Sequence, residues 1–440
     1  MSISRLLWQY ERLLFVLFLL LQLHLLWSHW GLVQGFDAWG YLEMFREVQW
    51  FRPLPNIRDF FYGYHPPLAY NLQSMLSVFF PDAIKSSQVL SFLSVTGGMV
   101  FLRGSLKHIG ILSSVAGMCL LYLTSSLPLF IYLTTETGNS ALAFFWTMLT
   151  LHLSVRLFWK RVMIRKFHWR EGIFLILLTL TLAASLLTKF TGLLNVALPF
   201  LVIAIRQRGW EMGKKSALAA AMCIFSLMSV GPFYYFRYYR TEGEFFPNTM
   251  KWARAADVQY GHAIHDEDPF LFFAHALRFP EQTVRTSSTP LRDSLIDSVW
   301  FQTWKREVHL GAPSALSSFF SAVYSEMFAV VLVLGSVAFF LFRPIRPSEF
   351  FDVGCLLIGV TLLNSVALLA FGYQYPVWDW APFKAKHIAP ALLWIPYCGG
   401  LVASVLLRCP RTKRIQSAFQ NALISFVVLF MMFNHLVPVY

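Results

Sequence analysis

The chain has 440 residues, of which 57% are hydrophobic and 13% charged, about half the charged share of an ordinary soluble domain. That balance excludes a soluble globular protein. The formal net charge of +13 suits the cytoplasmic loops of a membrane protein rather than a nucleic-acid surface, so no nucleic acid is expected as a partner.

Arg5 and Arg12 precede an apolar run from Leu13 to about Trp27, and no small-residue cleavage site follows. This segment is a first transmembrane helix rather than a removed signal peptide. Apolar runs of roughly 17–25 residues, the length that crosses a hydrocarbon core, recur to the end of the chain. They predict an all-α multi-pass membrane protein of about eleven transmembrane helices, near 12–32, 87–106, 109–131, 138–158, 172–188, 191–206, 216–236, 318–342, 351–371, 388–407 and 418–437. Alternate loops are rich in cations: Arg103 and Lys107, then Lys160 to Arg170, Arg206 to Lys215, Arg343 and Arg346, and Arg408 to Arg414. Short loops of the opposite phase carry almost none, apart from Lys189 and the pair Lys384 and Lys386. Cations concentrate on the cytoplasmic side, so the N-terminus is expected there and the C-terminus outside. A bacterial cell membrane is expected rather than endoplasmic reticulum.

The first outer loop, 31–86, holds two amphipathic patterns. Ala38, Tyr41, Leu42, Phe45 and Val48 recur at helical spacing opposite Glu43, Arg46 and Glu47, which predicts an interfacial helix along the membrane. A second follows Pro66-Pro67, with Leu68, Leu72, Met75, Leu76 and Phe79 on one stripe; proline suits a first helical turn. The chain therefore divides into a membrane module, 1–236, containing that loop, a small extracytoplasmic subdomain over 237–317, and C-terminal membrane helices over 318–440. The 237–317 stretch is polar and too long for a structureless connection. Cys119, Cys223, Cys355, Cys398 and Cys409 all lie in or beside spans, so there is neither a disulfide framework nor a CxxC metal signature.

Several polar residues stand out against this background. Asp37, just before an amphipathic pattern, is a favoured N-cap and also a carboxylate at the outer face. The two roles are compatible, since one oxygen can cap while the other meets a substrate. His65, before Pro-Pro, could simply end a loop. Glu136 lies in a very short outer turn, where an acid is commonly solvated. Lys189 ends a span, where a lysine often snorkels to the interface, yet it is the sole cation of its outer turn. Lys384, Lys386 and His387 repeat that anomaly at the start of another span. Cations held on the non-cytoplasmic rim suggest a bound anion, and the natural anion there is a lipid phosphate. His262 and His265, followed by Asp266, Glu267 and Asp268, lack the HExxH pattern of a metal site, and no metal ligands are assigned.

Four short motifs occur in order: Asp37 with Tyr41, His65-Pro66-Pro67-Leu68, Thr188-Lys189-Phe190-Thr191-Gly192, and Lys386-His387-Ile388-Ala389-Pro390-Ala391. Together they resemble the glycosyltransferase-C (GT-C) superfamily, within it the protein O-mannosyltransferase and lipid A aminoarabinose transferase branch, over most of the chain. The resemblance implies a membrane enzyme that takes a sugar from a polyprenyl-phosphate carrier and transfers it, with inversion, on the extracytoplasmic or lumenal side. By the same resemblance Asp37 is the catalytic carboxylate and Glu136 a second acid. Lys189, Lys386 and His387 become ligands of the carrier phosphate, with Tyr41, His65 and Lys384 on the same substrate-binding surface. That family's last motif more often begins Arg-Tyr or Lys-Tyr, and His387 here stands in the tyrosine's position.

The chemistry agrees. A polyprenyl phosphate leaves without protonation if cations neutralise the developing charge, and one carboxylate suffices to deprotonate an acceptor hydroxyl or amine. Direct displacement needs no enzyme nucleophile. The partners implied are a polyprenyl-phosphate-linked sugar donor, a glycan, lipid or protein acceptor, and the bilayer. The sequence leaves open whether a divalent cation assists Asp37. A lipid-linked oligosaccharide polymerase or ligase is the alternative reading, with Arg278, Arg285 and Arg292 in the long loop as its candidates. A transporter or flippase would require charges near the bilayer centre, of which the spans have few.

Overall fold

The computed structural model describes residues 3–35, 38–49, 54–55, 65–112, 114–160, 169–245, 315–341, 348–374, 385–407 and 413–436. The described residues are helical and contain no strand. Helices α1 (Ile3–Ser28), α2 (Ala38–Glu47), α3 (Leu68–Leu76) and α4 (Ala83–Ile109) lead into a broken pair, α5 (Val115–Ser126) and α6 (Pro128–Thr135). Then come α7 (Ser140–Phe158), α8 (Trp169–Leu186), a 3₁₀ segment (Phe190–Val196), α9 (Ala197–Arg206) and α10 (Gly209–Tyr234). The C-terminal part is α11 (Ala315–Leu341), α12 (Ser348–Gln374), a second 3₁₀ segment (Ala385–Leu393), α13 (Trp394–Leu406) and α14 (Lys413–Leu436).

A helical segment lies at each of the eleven positions expected for a span. By length and composition, eight among the described residues can cross a membrane. The stretch expected as one helix over 109–131 is instead α5 and α6, bent by 53°. Leu127, extended at φ −62° and ψ 137°, makes the break. The residue before a proline is pushed out of the α region, and Pro128 then starts α6, where its missing N–H does no harm. The segments expected over 172–188 and 191–206 are shorter apolar helices, Glu171–Leu186 and Phe190–Arg206.

Every residue of α5 and α6 is buried, as expected of segments apolar on all sides. This bent post stands at the centre, with α1, α4, α13 and α14 packed on it. Small residues permit the closest approaches, as is usual between membrane helices. A methyl at Gly400 of α13 would lie 2.5 Å from Ala116 Cα of α5, and one at Gly98 of α4 would lie 2.7 Å from Phe144 of α7. Buried polar bonds tie the outer helices in. Thr134 Oγ1 donates to Gln22 Oε1 at 2.9 Å, and Gln22 Nε2 meets His435 Nε2 of α14 at 3.3 Å. At the opposite end of the bundle, Arg103 makes a two-pronged pair with Glu11 at 2.7 and 2.8 Å, and Tyr122 OH donates to Glu11 Oε1.

Helices α2 and α3 form in the first loop as expected, but the stripe of α2 does not lie against lipid. Tyr41, Leu42, Phe45 and Val48 are buried together with Met44 and Tyr70 of α3. Periodicity marks an apolar face without saying whether lipid or protein covers it. On α3 the stripe is divided, with Met75 and Phe79 exposed and Leu72 and Leu76 packed beside Leu90 and Leu142. Helical backbone continues from α10 through a π turn, Tyr235–Tyr239, to Glu242, past the position 237 where the outer subdomain was expected to begin. Residues 246–314 lie outside the described residues.

Candidate active site

The turn between α6 and α7, residues 136–139, is the hub. Glu136 ends α6 in extended conformation, and its backbone is fixed from two sides. Thr137 N donates to Gln34 O at 2.7 Å, and Ser91 Oγ donates to Glu136 O at 2.6 Å. Gly35, at φ 130°, lets the first loop run over this turn; a Cβ there would lie 3.3 Å from Tyr132 Oη and 3.5 Å from Glu136 Cγ. The acid is therefore not solvated, as an outer-turn acid commonly is, but 1% exposed.

Such a carboxylate needs a counter-charge, and Lys386 supplies it from 250 residues away. Its Nζ donates to Glu136 Oε1 at 2.9 Å, with 4% of the lysine side chain exposed. Tyr132 OH donates weakly to the same oxygen at 3.5 Å. Glu136 Oε2 is buried and has no hydrogen-bond partner among the described residues.

Lys189 reaches the same turn from α8. The chain leaves α8, extends at Lys189, and folds back as the 3₁₀ segment so tightly that a Cβ on Gly192 would lie 2.3 Å from Ser185 O. Only glycine allows this return, which holds the lysine inside rather than letting it snorkel. Lys189 Nζ donates to Ser140 Oγ at 3.2 Å and lies 2.9 Å from His387 Nδ1.

Asn139 joins a further arm. Tyr41 OH donates to Asn139 Oδ1 at 3.0 Å, and Asn139 Nδ2 donates to Thr188 O at 3.3 Å. A phenol has one proton to give, so with Asn139 as its acceptor Tyr41 receives the hydrogen bond from His65 Nε2, 2.9 Å away. The Tyr41 and His65 rings stack with centroids 5.4 Å apart and 14° between planes. Leu68 N donates to Leu187 O at 2.8 Å, closing the first loop against the end of α8.

A narrow cleft, partly open to solvent, lies between α7, the two 3₁₀ segments and α12. Lys189, Lys386, His387 and Ser140 line one part, and Asn195 and Asn364 another. Of the residues singled out from the sequence, Tyr41, His65, Glu136, Lys189, Lys386 and His387 thus gather around one turn and its cleft. Asp37 and Lys384 lie outside the described residues, as do His262, His265, Arg278, Arg285 and Arg292. Ala38, directly after Asp37, is buried, and its N donates to Gly35 O beside Glu136. Asn139, Ser140, Asn195 and Asn364 were not anticipated. The first two had a signal, since they stand three and four residues after Glu136 where the same turn enters α7; the asparagines of the cleft had none. Among the described residues, no group of three or more His, Cys, Asp or Glu is placed to hold a metal ion. Asp37, the acid a divalent cation would accompany, is not among them.

No protein-family model matches the sequence, and no curated protein matches it. Solved structures do. The archaeal oligosaccharyltransferase AglB from Archaeoglobus fulgidus, in complex with an inhibitory peptide and a dolichol-phosphate, aligns with a TM-score of 0.51 at 13% identity. The alignment covers 97% of this chain and 55% of AglB, so the chain spans about half that enzyme's length. The oligosaccharyltransferase of the same organism tethered to an acceptor peptide with the NVT sequon aligns with a TM-score of 0.50 at 11% identity, over 97% of this chain and 54% of its own. ArnT from Cupriavidus metallidurans in the apo state aligns over 90% of this chain and 80% of its own, with a TM-score of 0.42 at 13% identity. At these identities the likeness establishes the fold. The chain is a multi-pass membrane protein with the fold of the GT-C glycosyltransferases, as the motifs implied.

Proposed function

We propose that this protein is an integral-membrane inverting glycosyltransferase that moves a sugar from a polyprenyl-phosphate carrier to a glycan, lipid or protein acceptor on the extracytoplasmic side. The observation that carries the reading is the convergence of Lys189, Lys386 and His387 on one cleft, with Glu136 bonded to Lys386. Cations gathered with so few acids in a largely apolar protein suit an anion, and a cleft beside helix ends suits one delivered by a lipid. The dolichol-phosphate bound to AglB is a ligand of that chemical type.

In this reading Lys189 and Lys386 neutralise the charge that develops on the leaving phosphate, where fixed cations in a partly dry site act most strongly. Asp37 takes the proton from the acceptor as its oxygen or nitrogen attacks the anomeric carbon. Glu136 is the second acid and holds Lys386. Tyr41 and His65 form the side wall, and the chain's three parts (1–236, 237–317 and 318–440) share the work of site, outer loop and supporting helices. The polymerase or ligase alternative would centre on the arginines of the long loop instead.

The test is transfer from a polyprenyl-phosphate sugar in isolated membranes. Asp37→Asn and Lys189→Ala should each lower the rate by at least about a hundredfold, the scale of losing a positioned base or an electrostatic stabiliser. Wild-type rates in both variants would remove the site assignment.

A further inference from the structure

Lys189 Nζ and His387 Nδ1 stand 2.9 Å apart, and an ammonium has no lone pair with which to accept. Nδ1 is therefore the acceptor, and His387 is a neutral imidazole, protonated on Nε2, while this contact lasts. A charged His387 would set two donors against each other at that distance. Imidazolium and this position of Lys189 exclude one another.

Among the described residues, the charged and titratable groups linked by hydrogen bonds to His387 and its neighbour Lys386 include Lys189 from the bend after α8, and Glu136 and Tyr132 from α6 and its turn. Lys386 is paired with Glu136, and Lys189 stands against a neutral imidazole.

We infer that His387 gains a positive charge when the bound phosphate turns from diester to monoester, an inference that rests on the polyprenyl-phosphate reading above. In the transfer, the acceptor atom bonds to the anomeric carbon while the bond from that carbon to the phosphate oxygen breaks. The electron pair of the broken bond stays on the phosphate, and the acceptor's proton goes to the carboxylate base. A diester with one negative charge enters, and a monoester with up to two leaves. An imidazolium formed at His387 by proton uptake from water compensates the added negative charge, and Lys189, freed from Nδ1, turns its ammonium to the same phosphate. The base returns its proton to water, so the cycle balances.

The sign of the pH effect follows. The monoester complex holds one more proton than its separated components above the ordinary range of imidazole, ~6.5, and of a phosphate monoester. Its affinity is therefore greatest at low pH and is lost as pH rises. The full chain in lipid nanodiscs is titrated with a short polyprenyl phosphate and with its methyl phosphodiester from about pH 6.5 to about pH 8.5, the span over which imidazole discharges. In the wild type, monoester affinity falls by up to about tenfold per pH unit while diester affinity stays level. His387→Gln removes the slope. His387→Arg, whose charge is fixed, also removes it but keeps tight monoester binding at the alkaline end. A flat wild-type monoester profile overturns the inference without reference to any variant. So does a slope that survives His387→Gln, or alkaline binding in His387→Arg no tighter than wild type. If neither ester binds the wild type at any pH, the polyprenyl-phosphate reading itself fails, and the inference falls with it.

Discussion

Glu136 and Lys386 meet at 2.9 Å with 1% and 4% of their side chains exposed, and at this scale the pair behaves as one unit. Removing one member of a buried pair leaves the other charged and uncompensated, which costs about 3–5 kcal/mol, whereas replacing both with neutral groups of similar size is often nearly neutral. Lys386→Met should therefore lower the thermal midpoint in detergent, and adding Glu136→Gln should restore most of it. Transfer should stay low in both, because the double variant regains packing but no cation. A Lys386→Met protein as stable as the wild type would show that the pair contributes nothing to the fold. The sequence marked both residues as anomalous but gave no sign that they were partners. Its bland reading of Glu136, an exposed turn acid, failed because Gly35 and Ser91 close over that turn from distant segments.

Elements meet through glycine where they meet most closely. On α13, Gly400 lies against the backbone of α5, 2.5 Å from where a Cβ would stand to Ala116 Cα and 2.9 Å to its carbonyl oxygen. Backbone cannot yield as a side-chain tip can. Gly400→Val should destabilise the bundle by about 1–3 kcal/mol, the usual scale of overpacking, read as a lower thermal midpoint. Gly399→Val is the control, since its Cβ would meet Val331 and Leu123 at 3.5 and 3.8 Å, ordinary contact distances. Equal losses in the two variants would refute the close approach as the cause. Helix α2 shows what periodicity leaves undecided. Its apolar stripe was legible at Tyr41, Leu42, Phe45 and Val48, yet Tyr70 covers it and lipid does not.

Among the described residues, two groups of buried charges lie at opposite ends of the bundle. Glu136, Lys189 and Lys386 lie at one, while Glu11 with Arg103 and Lys215 with the Lys160 carbonyl lie at the other. The described cations Arg103, Lys160, Arg206 and Lys215 belong to the second end, which the preference of Lys and Arg for inner loops predicts to be cytoplasmic. A membrane-impermeant maleimide applied to intact cells should then label Thr241→Cys, exposed beyond α10, and spare Arg208→Cys, exposed before it. The described native cysteines Cys119, Cys223, Cys355 and Cys398 lie within the helices and should add little background. Labelling at Arg208→Cys alone would invert the topology and move the site to the cytoplasm.

Local chemistry determined what could be read without coordinates. Apolar runs long enough to cross a bilayer announced the helices, Pro66-Pro67 announced the start of α3, and the stray cations Lys189 and Lys386 announced a buried polar cluster, because each signal resides in neighbouring residues. Even the break at Leu127–Pro128 was local, although run length alone hid it inside one predicted helix. Tertiary structure alone decided that Lys386 faces Glu136, that Lys189 faces His387, and that Asn139 ties Tyr41 to the end of α8. Those pairings depend on which helix ends meet, and that is set by the close approach of helices whose contacting residues lie far apart along the chain.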